Sequence, residues 1–342
     1  MSLKNLSAII KIPKLLKNKL NNKKINQIYN EFERTLDINK NFVVAVSGGP
    51  DSLALAFLSK VYSIKKKLNS KFFIVDHKLR SESTKEAKLV KHTLKKFLID
   101  AEILTWQGKK PTKNIQSLAR KKRYDLIFAR CKKLKINNIL LGHHVDDLVE
   151  NFFIRISRGS GLRGLISLNK KRKIGNINLL RPLLDQKKED LVYLSKYVFN
   201  FYVKDPSNND EQFKRIKIRK LINELQKNGL DKKKFIKTIN NLKYSDEVLK
   251  FYVDNNLKKN TYFSEKRKKL ILNKDFFHQP YEVIFRAFSD LIKIIGKKYY
   301  PVRGKKLDKI ISAIKDKTLS KVTLGGCIIE KINQTVIISK EH

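Results

Sequence analysis

"FVVAVSGGPDSLALAFL", residues 42–58, decides how the rest of the chain is read. Residues 42–46 are apolar and short enough for a buried strand, and an apolar helical pattern resumes from Leu53. Between them Ser47, Gly48, Gly49, Pro50, Asp51 and Ser52 wrap the start of the helix. Unpaired N–H groups and the positive end of the helix dipole make that place an anion site. Gly48 and Gly49 carry no Cβ, so an anion can approach the backbone and the turn can take positive φ. Ser47 and Ser52 offer hydroxyl donors. Asp51 has two readings, as a cap on the helix or as a ligand for a cation that bridges phosphates. A capped strand-to-helix turn without a ligand is the plain alternative. No Gly-Lys-Ser/Thr follows, which excludes the loop of enzymes that cleave the γ-phosphate.

Working outward, "KFFIVDH" (71–77), "AEILTW" (101–106) and "NNILLGH" (137–143) have the same buried-strand character. Helical patterns fill 51–67, 83–99 and 114–134. Strand, helix, strand at this spacing requires right-handed crossovers and a parallel sheet covered on both faces. Ligands bind beyond the carboxyl ends of such strands, which directs attention to the residues after 46, 75 and 142. From about 186 the pattern is helical, through 186–199, 210–226 and 231–258. The tail reads as a helix followed by two short strands joined by a turn. The expected fold is therefore α/β, a doubly wound parallel sheet followed by a mostly helical region and a small α+β carboxyl-terminal part. "KNGLDKKK" (227–234) supplies the break, giving domains 1–228, with a basic amino-terminal extension, and 229–342.

The 342 residues hold 76 Lys and Arg against 32 Asp and Glu, a formal charge of +44. A cationic field of that size attracts polyanions and points to nucleic acid; a general drift towards lysine is the bland alternative. Cys131 and Cys327, the two cysteines, form no CxxC pair. They suit a reducing compartment and exclude a disulfide scaffold or a thiolate zinc site, so no structural metal is expected. No apolar run approaches the about 20 residues of a membrane span, so no membrane partner is expected. Residues 1–30 contain no acid, but lysine outnumbers arginine and no cleavage pattern follows. A cytoplasmic location is expected rather than import by a transit peptide.

Four further segments carry chemistry: "VDHKLRSESTKEA" (75–87), "NIQSLARKKRYDLI" (114–127), "LGHHVDDLVENFFIRISRGSGLRGL" (141–165) and "DPSNNDEQFKRIKIRKLI" (205–222). In the third, Val149, Phe152, Phe153 and Ile156 recur at i, i+3, i+4 and i+7, a core stripe. Asp147, Asn151, Arg155 and Arg158 fall on or near the opposite side. Asp146 and Asp147 would complement the helix dipole even without a catalytic task, and His143 and His144 could be loop histidines bonded to backbone. Gln116, Arg120 and Arg123 share a helix face, which in a lysine-rich chain could be merely solvated.

Together with SGGPDS, and in this order, these segments resemble the tRNA(Ile)-lysidine synthases of the PP-loop ATP pyrophosphatase superfamily, over roughly residues 40–225. The resemblance implies the N-type ATP pyrophosphatase fold and cleavage of ATP between its α- and β-phosphates. It implies adenylation of C2–O of the wobble cytidine in an isoleucine tRNA with a CAU anticodon. The ε-amine of free L-lysine then displaces AMP. ATP and Mg²⁺ are the implied cofactors. Ser47, Gly48, Gly49, Pro50, Asp51, Ser52 and His77 would bind ATP, with Asp51 and Asp147 on the metal. Asp51, His144, Asp146, Asp147 and Arg120 would be catalytic, the aspartates sharing metal binding, amine orientation and proton removal in an undivided way. Arg80, Arg123, Arg155, Arg158, Arg163, Arg215 and Arg219 would contact tRNA.

Three departures accompany the match. Asn151 replaces the usual Thr, Ile216 and Lys217 replace an Asn-Arg pair, and the extension of long members has no counterpart, as in a short form. Two other functions compete. Another PP-loop tRNA-modifying enzyme, such as a thiolase, would want cysteines placed to carry sulfur. A basic RNA-binding protein with a dead nucleotide fold should have lost Asp51, Asp146 or Asp147.

Overall fold

The computed structural model describes residues 12–108, 115–203, 214–265, 269–298 and 302–341. The chain divides into two compact units, 1–235 and 236–342. The first is built on a six-stranded sheet of order β3-β2-β1-β4-β6-β5. Its strands are β1 (Phe42–Val46), β2 (Ser70–Asp76), β3 (Ala101–Thr105), β4 (Asn138–Leu140), β5 (Lys171–Ile174) and β6 (Ile177–Leu180). All neighbours pair in parallel except β5, which returns antiparallel along β6.

Alternation along β1 sends Phe42, Val44 and Val46 into one core and Val43 into another. The first core takes up α2 (Lys23–Thr35), α3 (Pro50–Lys65) and α8 (Lys188–Phe199). The second takes Ile127 and Cys131 from α5 (Ile115–Leu134). Both faces are thus covered, as the uninterrupted apolar strands require. Helix α3 is buried without interruption from Ser52 to Ser59, so its amino-terminal turn is fixed from behind by the whole core. The basic amino-terminal stretch contains two helices, α1 (Lys14–Leu20) and α2, whose Leu16, Ile25 and Phe32 are fully buried in the same core.

Two expectations need correction in this unit. Ile156, read as part of a core stripe, is 51% exposed. It is the last residue of α6 (Val145–Ile156), and the buried i, i+3, i+4, i+7 stripe runs one turn earlier, through Val145, Leu148, Val149 and Phe152. The hairpin of β5 and β6 was not foreseen, because "KRKI" offers a single apolar residue.

The second unit carries a five-stranded antiparallel sheet of order β7-β8-β11-β10-β9. It comprises β7 (Thr261–Ser264), β8 (Lys269–Leu272), β9 (Lys321–Leu324), β10 (Cys327–Ile332) and β11 (Thr335–Lys340). The tail therefore holds three strands, not two: Asn333 takes φ +51° and turns the apparent long second strand into a hairpin. Phe276, Phe288, Ile292, Ile311, Ile329 and Ile338 fill the core beneath α11 (Tyr281–Ile295) and α12 (Gly304–Lys315). Buried Arg286 of α11 pairs with buried Asp246 of α10 (Lys232–Asn260) and with Glu282. Among the described residues no helix is long and apolar enough to cross a membrane.

Gly48 is held at φ +86°, and a Cβ there would lie 2.7 Å from Val90 Cγ2 and 3.0 Å from Val203 Cγ2. Its carbonyl accepts from the Val203 N–H at 2.9 Å. Gly48→Ala should cost about 1–3 kcal/mol of unfolding free energy from backbone strain alone, with packing strain added; urea denaturation of the two proteins measures it.

Candidate active site

The anion-binding reading of residues 47–52 rests on what fills the first turn of α3. Gly49 is its N-cap at φ −71°, no side chain caps it, and Pro50 opens the helix. Asp51 does not cap, which disposes of one of its two readings. A Cβ on Gly49 would meet nothing nearer than Ser47 Oγ at 3.9 Å. The protein itself thus leaves this approach to the helix end open, while Gly48 satisfies the backbone. The serines brace the loop: Ser52 Oγ donates to Gly49 O (3.0 Å), and the Ser47 N–H donates to Ser52 Oγ (3.1 Å). Ser47 Oγ also lies 3.2 Å from Ser52 Oγ, so both hydroxyls shape the turn.

A close approach joins this turn to the end of β4. A Cβ on Gly142 would lie 3.1 Å from Asp51 O and 3.2 Å from Ser52 N, so backbone meets backbone. His144 follows, 2% exposed, as N-cap of α6 in a capping box. Its Nδ1 accepts from the Asp146 N–H (3.2 Å), while its own N–H donates to Asp147 Oδ2 (3.1 Å). With Nδ1 occupied as acceptor, the ring proton sits on Nε2. That atom is 3.5 Å from Asp147 Oδ2 and 3.7 Å from Asp51 Oδ2. One buried imidazole therefore spans the two carboxylates.

The two acids respond in opposite directions. Burial raises the Asp51 pKa and Asp147 adds to the rise, while His144 and Lys188 oppose it. Among the described residues Asp51 Oδ1 is buried with no partner. Burial also works against the charge of Asp147, but His144, His143 and the His144 N–H outweigh it and hold the pKa below the usual carboxylate range.

The structure also separates the neighbouring acids. Asp147 faces the histidines, whereas Asp146 turns to a cavity of about 160 Å³ shared with Glu150, Lys188 and Arg219. The Lys232 ammonium rests on the Asp146 carboxylate. Arg219, from α9 (Lys214–Lys227), grips the buried Glu150 carboxylate through Nε and Nη2.

The other expected residues spread outward from this centre. His77 follows β2, and its Nε2 accepts from Arg123 Nε at 3.3 Å. Arg120 lies over the Tyr124 ring at 5.4 Å. Arg80 is exposed and paired with Glu86 at 3.0 Å. Arg155 is half-buried, and Arg158, Arg163 and Arg215 are exposed. Asn151 donates to Ser167 Oγ at 3.2 Å. The Gln116 side chain and segment 205–213 lie outside the described residues. Sequence reasoning missed Gly142, Lys188 and Lys232. Gly142 alone carried a local signal, a glycine directly after a strand and before the paired histidines.

Residues 17–225 match the family model described as PP-loop domain. The chain is 34% identical over 317 residues to the tRNA(Ile)-lysidine synthase of Orientia tsutsugamushi (strain Boryong), covering 89% of this chain and 70% of that protein. It is 31% identical to the enzyme of that name from Wolbachia pipientis wMel, over 89% and 71% of the two chains. This chain belongs to the tRNA(Ile)-lysidine synthase family. Among solved structures, the U34-tRNA thiolase NcsA from Methanococcus maripaludis shares the fold at 18% identity and TM-score 0.54, over 66% of this chain and 79% of that one.

Burial first, and Arg123 second, pushes His77 down to about 4; burial first, with Arg181, Arg120 and Arg215 behind it, pushes His143 down to about 3, Asp147 opposing. Both are neutral in the fold and take up protons on unfolding below their ordinary 6.5. Their stabilisation is complete above that pH and lost as pH falls towards the folded values. Unfolding free energy should therefore decline below about pH 6.5, by at most about 1.4 kcal/mol per pH unit for each histidine. His143→Asn should make the pH profile from urea denaturation shallower.

Proposed function

We propose that this chain converts the wobble cytidine of the CAU-anticodon isoleucine tRNA to lysidine, using ATP and free L-lysine. The observation that carries it is the uncapped, glycine-lined start of α3, joined through buried His144 to two carboxylates. In the first step the cytidine O2 attacks the α-phosphorus and pyrophosphate leaves. The N–H groups of the α3 turn face the charge that gathers on the leaving group, where preorganised donors act most strongly. In the second step the lysine ε-amine attacks C2, AMP departs and the amine gives up its proton.

A magnesium ion fits Asp51 and Asp147. Asp51 Oδ1 is a hard oxygen donor buried without a partner, and Asp147 stays ionised. Among the described residues no three His, Cys, Asp or Glu side chains form a metal cluster; a cation held by these two carboxylates would take the rest of its oxygen shell from outside the protein. When bound it neutralises phosphate charge. His144 Nε2 lies between the two carboxylates, at 3.5 Å from Asp147 and 3.7 Å from Asp51.

Asp146 takes a different task in this reading. Its carboxylate already accepts one primary ammonium, that of Lys232. In the cavity of about 160 Å³ beside it, Arg219 and Glu150 pair with each other, which leaves Asp146 for an ammonium and Lys188 for a carboxylate. Such a set recognises a free amino acid carrying an amine, and an ε-amine held there is presented to the activated base. Arg120 would face the α-phosphate. Arg80, Arg123, Arg155, Arg158, Arg163 and Arg215 would meet tRNA, with Arg219 contributing through its grip on Glu150. These tasks suit the cytoplasm, where tRNA, ATP and lysine meet.

Incubation of an isoleucine tRNA transcript with ATP, Mg²⁺ and lysine should give one lysyl adduct at the wobble cytidine by mass spectrometry, and none on initiator tRNA. Asp51→Ala should remove the adduct while tRNA binding persists; full turnover by that variant would defeat the reading. Asp146→Asn should raise KM for lysine by roughly tenfold or more, about 1.4 kcal/mol for a lost charged contact, and leave KM for ATP unchanged.

A further inference from the structure

Arg181 follows β6 directly, next to the strand that delivers His143 and His144, and is 4% exposed. The β4–β6 pairing continues past both strand ends through the Leu141 N–H to Leu180 O bond at 2.9 Å, so Arg181 lies at the same carboxyl edge as the reactive groups. Its Nη1 donates to Asn169 O at 2.7 Å. Among the described residues Nε is fully buried with no partner, as is Nδ1 of His143. No carboxylate pairs with Arg181 among the described residues. Burial works against its charge most; Tyr124 and Asp147 favour the charge, while Arg172 and Arg120, of its own sign, oppose it. Arg172, in turn, bears on half-buried Arg155, together with Arg158.

This arrangement is costly for the protein alone. A buried guanidinium without a counter-ion is destabilising, and guanidiniums of like sign around it add to the cost. Arg172 lies on β5 opposite Leu179 of β6, two residues before Arg181, and with Arg158 bears on Arg155, so the four arginines form a basic series. Arg181 is buried, Arg155 is partly buried, and Arg172 and Arg158 are exposed. Such a series suits a strand of phosphates entering from solvent, whose innermost charge meets the least solvated guanidinium. Arginine suits that place because its planar fork can keep one bond to a backbone carbonyl while offering others to a phosphate oxygen.

We propose that Arg181, backed by Arg172, seats a phosphodiester oxygen of the RNA strand that carries the target base, fixing the extruded nucleotide beside His143. The proposal rests on the reading of the chain as a tRNA-modifying enzyme and adds a binding residue to it. An extruded base needs its backbone held, since phosphate contacts set register and orientation.

Arg181→Met and Arg181→Lys, compared with the parent protein, test this by three measurements: thermal unfolding, affinity for the isoleucine tRNA transcript across salt concentrations, and affinity for ATP. The methionine variant should unfold at an equal or higher temperature, because an uncompensated buried charge is gone. It should bind the transcript about tenfold more weakly, and the slope of log K against log salt should shrink by about one. ATP affinity should not change, and the lysine variant should keep the parent's salt slope. A methionine variant that melts lower yet keeps affinity and slope would make Arg181 a brace for Asn169 and overturn the proposal. Loss of ATP affinity with RNA binding intact would overturn it too, assigning the anion to the nucleotide. Failure of the parent protein to modify the transcript strikes only at the enzyme reading, since the variant comparison needs RNA binding alone.

Discussion

The first turn of α3 ends in N–H groups that no side chain caps, and the rest of the site is arranged around that opening. Burial of α3 from Ser52 to Ser59 fixes the turn from behind. Gly48, at a φ only glycine adopts readily, carries the chain into it. Ser47 and Ser52 spend their hydroxyls on each other and on Gly49 O, which holds the loop wide without placing a side chain in it. Because a helix start attracts anions in any protein, the distinguishing feature is what stands next to it. Gly142 lets β4 run against the Asp51 backbone, and that contact brings buried His144 between Asp51 and Asp147.

From this constraint the chemistry divides naturally. In the proposed reaction the Asp51–His144–Asp147 line would face the phosphates, with one acid pushed up by burial and the other held down by histidines. Asp146, one residue away, points into a separate cavity and holds an ammonium. Adjacent residues at the start of a helix project in directions about 100° apart, so a single Asp-Asp pair can serve the leaving group on one side and the amine on the other. Stability is given up for this: among the described residues, a carboxylate oxygen of Asp51 and Nε of buried Arg181 lack partners, both at the carboxyl edge of the sheet. Ligands would satisfy both.

Much of this was legible in the residues because the chemistry is local. The strand, turn and helix of 42–58 follow from composition and glycine placement, and the order of the motifs identified the family. What stayed hidden depended on long-range packing. Lys232 meets Asp146 across 86 positions, and nothing near either residue announces it. Arg181 sits in "LLRPLL", whose apolar character reads as the end of a strand and conceals a charged group under it. The stripe of α6 was phased one turn late because Phe153 and Ile156 look as apolar as Val145 and Leu148; the neighbours, not the spacing, decide which side is buried. Edge strands such as β5, nearly all Lys and Arg, have the charge that protects sheet edges and lack the apolar alternation that reveals strands.

The central claim is that the open turn of α3 stabilises departing pyrophosphate, so bond cleavage falls between the α- and β-phosphates. It is tested most directly by supplying ATP labelled in its γ-phosphate, with tRNA and lysine, and separating the products. The account predicts that all released label is pyrophosphate, with AMP formed in equal amount. Labelled orthophosphate accompanied by ADP would contradict it.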